Sequence, residues 1–106
     1  MHANRFITFD LAVIRTNASL PSGQAFQLTG IAGPANFAPT TGMSLAVLLD
    51  GLLLLMHDVA TGALTSNSFS LSVSGAGRYL TFVALEGTGL EPNGDHGAFA
   101  RVTLTP

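Results

Sequence analysis

Two pairs of adjacent histidine and carboxylate residues are the first candidates for chemistry in this sequence: His57-Asp58 and Asp95-His96. Imidazole nitrogens and carboxylate oxygens bind divalent metals, so the pairs could form a site if the fold brought them together with Glu91. They show neither the helical i, i+4 spacing nor the short-loop clustering that specifies metal motifs. We therefore expect no metal and no cofactor, with the first pair ending a strand and the second lying in a loop turn.

Residues 87–97, GTGLEPNGDHG, form a long polar loop. Glu91, Asn93 and Asp95 stand at alternate positions, a superficial similarity to an oxygen-rich calcium loop. The further oxygens and the closing bidentate Glu of a helix-loop-helix calcium site are absent, so Asn-Gly turn chemistry explains the segment better. Loop tips carry binding functions on sandwich scaffolds. If the protein binds a ligand, the candidate residues are Glu91, Asn93, Asp95 and His96.

No motif for catalysis is present. The glycine-rich segments 75–77 and 87–89 lack the following glycine and the helix start of a phosphate or dinucleotide loop, and there is no nucleophile elbow. The chain has no cysteine, which excludes a thiol nucleophile and disulfides. A carboxylate pair for glycoside hydrolysis normally needs a larger frame. The sequence predicts that the protein is not an enzyme.

Charge is scarce and evenly spread. Four basic residues, all arginine, and six acidic ones leave a net charge of −2 and no basic stripe for nucleic acid. Charged residues make up 9% of the chain, against roughly 25% in ordinary domains, so copies repel each other weakly. The longest apolar runs, 45–49 and 52–56, are far shorter than a membrane helix, and the first 15 residues lack the core of a signal peptide. We expect protein partners, as a homo-oligomer or larger assembly, no nucleic acid and no membrane insertion.

Residues 45–59 read LAVLLDGLLLLMHDV and are the most apolar segment. Asp-Gly between apolar runs is a strong signal for a β-hairpin with a type I′ turn, with Asp50-Gly51 at its tip. The alternative is a buried helix over 44–62, which the Leu content favours but in which Gly51 would cost about 1 kcal/mol. The hairpin is preferred, and its turn would pair Leu49 with Leu52, Val47 with Leu54 and Leu45 with Met56.

Alternation of apolar and polar residues predicts the remaining strands. It is present in 6–14, 25–31, 64–73, 79–85 and 99–104, which with the hairpin makes about seven strands and no convincing helix. This number is typical of a two-sheet sandwich. The fold class is therefore all-β: a single antiparallel β-sandwich, Ig-like or jelly-roll-like, covering residues 1–106. In the first strand Ile7, Phe9, Leu11 and Val13 should face the core, and most of Phe6, Phe9, Phe26, Phe69, Phe82 and Phe99 should be buried.

The last third of the chain adds a resemblance. The run 74–83, SGAGRYLTFV, followed by a loop and then 101–105, RVTLT, resembles the closing strands of bacterial immunoglobulin-like or fibronectin-III-like modules. In those modules a Gly-x-Tyr opens the penultimate strand, so the resemblance makes Tyr79 the corner tyrosine. It covers about thirty residues and departs from the antibody pattern, because the chain has no Cys and no Trp. Such modules are adhesive or structural more often than catalytic.

The preferred function is that of a structural or assembly protein, a self-associating or particle-decorating subunit such as a virion decoration, spike or fibre component. One apolar side of the hairpin would be its contact surface, since large exposed apolar patches mark interfaces. The alternative is a small carbohydrate- or ligand-binding module that uses loop 87–97. The absence of Trp and the single Tyr speak against it, because sugars stack on exposed aromatic rings. The predicted contact residues are Leu45, Val47, Leu49, Leu52, Leu54 and Met56.

Overall fold

Alternating apolar side chains place seven strands in two opposed sheets. The computed structural model describes residues 5–34, 43–59, 66–86 and 97–106. The sheets have the strand orders β1-β6-β3-β4 and β5-β2-β7, with every neighbouring pair antiparallel. The predicted all-β sandwich is confirmed. Its elements are β1 (Arg5–Asp10), α1 (Leu11–Asn17), β2 (Phe26–Pro34), β3 (Met43–Leu49), β4 (Leu52–Val59), β5 (Asn67–Val73), β6 (Tyr79–Glu86) and β7 (Gly97–Thr105).

The core lies between the sheets, where every second side chain of a strand points inward. Its larger cluster joins α1 to both sheets, and a smaller one at the other end of the sandwich joins Ala32, Leu45 and Ala84 under the rings of Phe69 and Phe99. The two clusters together form the core along the strands. The fully buried large side chains are Leu11, Leu28, Leu45, Val47, Val73 and Leu80.

The apolar segment is a hairpin, as predicted, and the helix alternative is wrong. Asp50 and Gly51 have φ of 50° and 81°, the left-handed conformations of a type I′ turn. Leu49 pairs with Leu52, but a register shift between Val47 and Leu48 changes the pairing beyond that point. Such a β-bulge depends on packing that local sequence does not reveal. The predicted register is therefore corrected: Val47 pairs with Leu55 and Leu45 with His57, not with Leu54 and Met56.

The predicted strand 6–14 is wrong in its second half. It ends at Asp10, whose side-chain oxygen accepts a hydrogen bond from the backbone N–H of Ala12 at 3.0 Å and so caps α1. Leu11 and Arg15 are buried and Ile14 packs on the core, which is the spacing of one helical face. The apolar residues in 11–14 fit the two-residue period of a strand as well as the 3.6-residue period of a helix. Alternation alone therefore predicted a strand where the first helical turn lies.

The aromatic residues of β1 also differ from expectation. Phe6 is 73% exposed because it lies beside Val83 on the outer face of its sheet. Phe9 points inward beside Leu80 and is still 42% exposed, because β1 is the edge strand of a four-stranded sheet that faces only three strands. Of the other four rings, Phe26 and Phe82 are buried, while Phe69 and Phe99 are half-buried. The three-stranded sheet therefore leaves β1 largely uncovered within the described ranges. Across those ranges no helix combines the length and apolarity that crossing a membrane requires.

Candidate functional site

Three connections of the sandwich leave from the same end. Met43, at the start of β3, pairs with Val59 and Glu86, the last residues of β4 and β6. In the other sheet Pro34, which ends β2, pairs with Gly97, which begins β7. The cluster of Ala32, Leu45 and Ala84 packs these strand ends together across the two sheets. Connections 35–42, 60–65 and 87–96 therefore all start and finish at this end, which we call the loop end.

The opposite end is closed by short, well-anchored turns. There the two-residue turn of the hairpin meets residues 74–78, and the Asp50 carboxylate accepts hydrogen bonds from the backbone N–H groups of Arg78 and Tyr79, the latter at 2.9 Å. Arg78 also forms an ion pair with Asp10 at 3.2 Å and lies 5.0 Å from the ring centre of Tyr79. These contacts hold the turns in place, and we call this end of the sandwich the turn end.

The four ligand-binding candidates from the sequence, Glu91, Asn93, Asp95 and His96, lie outside the described residues. The strands on either side of their loop, β6 and β7, both end at the loop end. The sequence singled out only this connection, because the order of strands in a sheet cannot be read from alternation. It is one of three connections whose flanking strands end at the loop end.

A groove opens beside the loop end, between the edge strands β4 and β5 of the two sheets. We call it the edge groove; its cavity is about 160 Å³, and it is lined by residues 55–57 of β4, 67–69 of β5 and Ala32 of β2. It exists because the inward positions of β2 are small here. Gly30 leaves room for the Phe69 ring, whose Cζ would be 2.7 Å from a Cβ at that position, and Ala32 follows two residues later. The side chains of the two sheets therefore do not close over the opening.

Polar groups stand at the rim of the edge groove. The side-chain nitrogen of Asn67 lies 3.3 Å from Nδ1 of His57. When the Asn67 amide donates to Nδ1, the neutral imidazole carries its proton on Nε2 and presents it as a donor. In the sequence, His57 is a candidate only as a metal ligand paired with Asp58, and Asn67 is not a candidate. Both are polar residues next to a loop near the end of a strand, which is the signal that could have identified them.

His57 and Asp58 lie on opposite faces of β4. His57 pairs with buried Leu45 and faces the edge groove, whereas the hydroxyl of Ser44 donates to the Asp58 carboxylate at 2.6 Å on the outer face. Adjacent residues of a strand point to opposite sides, so the two cannot act on one ion. Within the described ranges no three His, Cys, Asp or Glu side chains are close enough to hold a metal.

The predicted contact surface on the hairpin needs correction. Leu45 and Val47 are fully buried and Leu49 is 8% exposed, so these three belong to the core of the chain. Leu54 is half-buried and packs on the same core. Of the remaining two, Leu52 is exposed beside the turn and Met56 borders the edge groove. The apolar hairpin face that the sequence assigned to a partner is mostly covered by the opposing sheet.

No protein-family model matches the sequence, and no curated protein is similar to it at a significant level. The solved structures that share its fold include three from Clostridium perfringens. The first is CBM51 from GH95 in complex with methyl-galactose, with a TM-score of 0.72 and 21% identity. The second contains the CBM51-2 domain in complex with GlcNAc and the INT domains of ZmpB, with a TM-score of 0.72 and 16% identity. The third contains the M60 catalytic domain of ZmpB with its CBM51-1 and CBM51-2 domains, with a TM-score of 0.75 and 17% identity.

Each of these alignments covers 99% of the chain, which spans 67% of the first structure's chain and 21% and 10% of the other two. At such low identity the likeness shows the fold, a β-sandwich found in CBM51 carbohydrate-binding modules. It also overturns the preferred function. The prediction of a self-associating or virion-decorating structural protein is wrong, because the structures that share this fold are carbohydrate-binding modules.

Proposed function

We propose that the protein is a non-catalytic carbohydrate-binding module that binds sugar at its loop end. The observation that carries this proposal is the superposition of 99% of the chain on modules solved with methyl-galactose and with GlcNAc. The ligand-binding alternative from the sequence becomes the main function. The contribution of Glu91, Asn93, Asp95 and His96 stays a prediction within it.

The chemistry of the edge groove beside the loop end suits a neutral, hydroxyl-rich ligand. Binding sites for small molecules combine apolar lining with a few well-placed polar groups, which is what the edge groove offers. The chain carries few charges, and its one ion pair among the described residues lies at the opposite end of the sandwich. A sugar requires hydrogen-bond donors and acceptors and an apolar surface, and it requires no charged partner.

Titration of the ¹⁵N-labelled protein with methyl-galactose and, separately, with GlcNAc tests the proposal. We expect saturable chemical-shift changes with at least one sugar and a Kd in the micromolar to millimolar range, about −4 to −8 kcal/mol of binding free energy. Glycerol is the control for nonspecific polyol effects. An absence of saturable shifts with both sugars, together with no binding on a glycan array, would refute carbohydrate binding.

A further inference from the structure

We propose that the edge groove is a subsite for a single sugar ring, with His57 and Asn67 as its hydrogen-bonding residues and Phe69 as its apolar base. This inference rests on the proposed function and adds the residues and the size of the ligand. Its three residues come from two strands that the chain connects only through residues 60–65. They meet because β4 and β5 are facing edge strands of the two sheets.

The size of the edge groove limits its occupant. Pockets for drug-sized ligands measure roughly 300–1,000 Å³, and this cavity is about 160 Å³. One ring fits such a space, whereas two linked rings exceed it. Because the groove opens to solvent between two strand edges, the rest of a glycan would extend outward. The groove is therefore matched to one ring of a glycan, and any rings attached to it would lie outside.

The polar pair at the rim is complementary to a hydroxyl group. With Nδ1 of His57 occupied by the Asn67 amide at 3.3 Å, Nε2–H is a donor and the Asn67 carbonyl oxygen is an acceptor. A sugar hydroxyl both donates and accepts, so one hydroxyl or two neighbouring ones can satisfy both groups. The His57 side chain is half-buried, which restricts its rotamers and lowers the entropic cost of binding.

Phe69 supplies the apolar surface that a sugar's C–H face needs. Its ring lies over Gly30 and meets Phe99 edge-to-face, with ring centres 6.2 Å apart and planes at 89°. The ring is thus held from two sides and is already positioned before a ligand arrives. Met56, 45% exposed at the groove, adds a flexible apolar side chain. Together they replace the exposed Trp or Tyr platform that this sequence lacks at the loop end.

A larger cavity elsewhere provides the contrast. It measures about 270 Å³ and opens between the sheets near β1 and β7. All of its lining side chains are apolar, so it offers a sugar no side-chain hydrogen bond. Of these two cavities among the described residues, the edge groove is the smaller, but it is the one whose side chains can form hydrogen bonds with a sugar. The lining residues of the larger cavity are Phe9, Ile14, Leu28, Leu80, Val102 and Leu104.

The variants His57→Ala and Asn67→Ala test the subsite, with methyl-galactose and GlcNAc as probes in isothermal titration. Each should weaken binding about 10-fold or more, the equivalent of about 1.4 kcal/mol. The matched control is Gln27→Ala. It removes a similar exposed amide, which lies away from the groove and donates a hydrogen bond of 2.6 Å to the Ser70 hydroxyl. Thermal unfolding of each variant identifies any loss of fold.

Chemical-shift mapping on the wild-type protein decides the question even if a variant does not fold. The largest changes on sugar binding should fall on residues 55–57, 67–69 and Ala32. Sugar binding with undiminished affinity in both variants, or shifts concentrated away from these residues, would overturn the subsite while leaving the proposed function intact. If the wild-type protein binds neither sugar, both proposals fail.

Discussion

The buried cation Arg15 shows how single residues hold the turn end of this sandwich. It is 4% exposed, and its guanidinium donates to the carbonyl oxygens of Gln24 at 2.8 Å and Gly77 at 2.9 Å, with a longer contact to Ser74 at 3.5 Å. It also lies 5.4 Å from the centre of the Phe26 ring. A planar guanidinium with several fixed donors suits this role, and an ammonium does not. Arg15 thereby ties α1 to the segment before β2 and to the segment between β5 and β6.

Replacing Arg15 by Met should therefore destabilise the fold. The buried carbonyl oxygens lose their donors, and an unsatisfied buried group costs about 1–3 kcal/mol, so we expect a loss of roughly 2–4 kcal/mol in the free energy of unfolding. Urea denaturation measures it. Arg5→Met, at an exposed position, is the control and should change stability by less than about 0.5 kcal/mol. Equal stabilities of the two variants would contradict the structural role of Arg15.

Gly75 is a second residue whose identity the packing determines. A Cβ there would collide with the backbone carbonyl of Gly23, which cannot move aside like a side chain. Gly75→Ala should cost about 1–3 kcal/mol of stability, the usual penalty for overpacking. Gly23→Ala adds the same methyl group where no atom lies within 4 Å, and it should be close to neutral. The difference between their urea midpoints tests the close approach; similar midpoints would show that the two segments are further apart.

At the scale of elements, the junction of β1 and α1 depends on Asp10. Its side chain caps the helix and pairs with Arg78, and the hydrogen bond from Arg78 lowers the pKa of the Asp10 carboxyl below its ordinary value. A carboxyl with a lower pKa in the folded state stabilises the protein above its unfolded pKa of about 3.9. That contribution is lost as the pH falls through the lower folded pKa. Both groups are exposed, so the effect is modest.

The variant Asp10→Asn isolates this charge, because asparagine is an equally good N-cap. Its Tm should be lower than that of the wild type at pH 7, and the difference should shrink as the pH is lowered towards 2 and protonation of the wild-type carboxyl removes its charge. In an Arg78→Met background the difference at pH 7 should shrink. A Tm difference that persists unchanged at pH 2 would show that the cap, and not the ion pair, is responsible.

Local sequence patterns predicted some of these elements correctly and missed others. Asp50-Gly51 predicted the hairpin because its turn requires two residues at positive φ, a local property. The bulge at Leu54 of β4 and the end of β1 at Asp10 were missed, because both are decided by contacts with other strands and with Arg78. The exposure of the inward-facing Phe9 follows from the unequal width of the two sheets, which no single strand encodes.

At the scale of the whole molecule, the edge groove exists because the topology brings separate strands together. Ala32, His57 and Asn67 lie on three strands and come together only in the folded sandwich. The sequence did indicate a sandwich with functional loops, but not that three connections share one end. The sequence favoured assembly over sugar binding for two reasons. The hairpin is apolar, but half of its predicted contact residues belong to the core. The chain has no Trp, but Phe69 takes the place of that residue in the proposed subsite. Composition alone could not distinguish a buried apolar face from an exposed one.

The scarcity of charge leads to a prediction for the complete molecule. If the ligand is a neutral sugar held by hydrogen bonds and apolar contact, salt has nothing to screen, and Kd should change less than about 2-fold between low and high ionic strength. At a sugar concentration about tenfold above Kd, binding should stabilise the fold by about 1.4 kcal/mol, which is several degrees in Tm for a domain of this length. Thermal unfolding with methyl-galactose or GlcNAc at two salt concentrations measures both effects.

The same thermal unfolding measurements on the variant His57→Ala complete that experiment. At equal sugar concentration the variant should show a much smaller rise in Tm, since its weaker binding leaves less of the native state occupied. A rise in Tm that disappears at high salt would indicate a charged ligand recognised by one of the few ionic side chains, contrary to the proposed chemistry. A salt-independent rise that His57→Ala shares in full would keep the sugar but move its binding site away from the edge groove, towards the connections at the loop end.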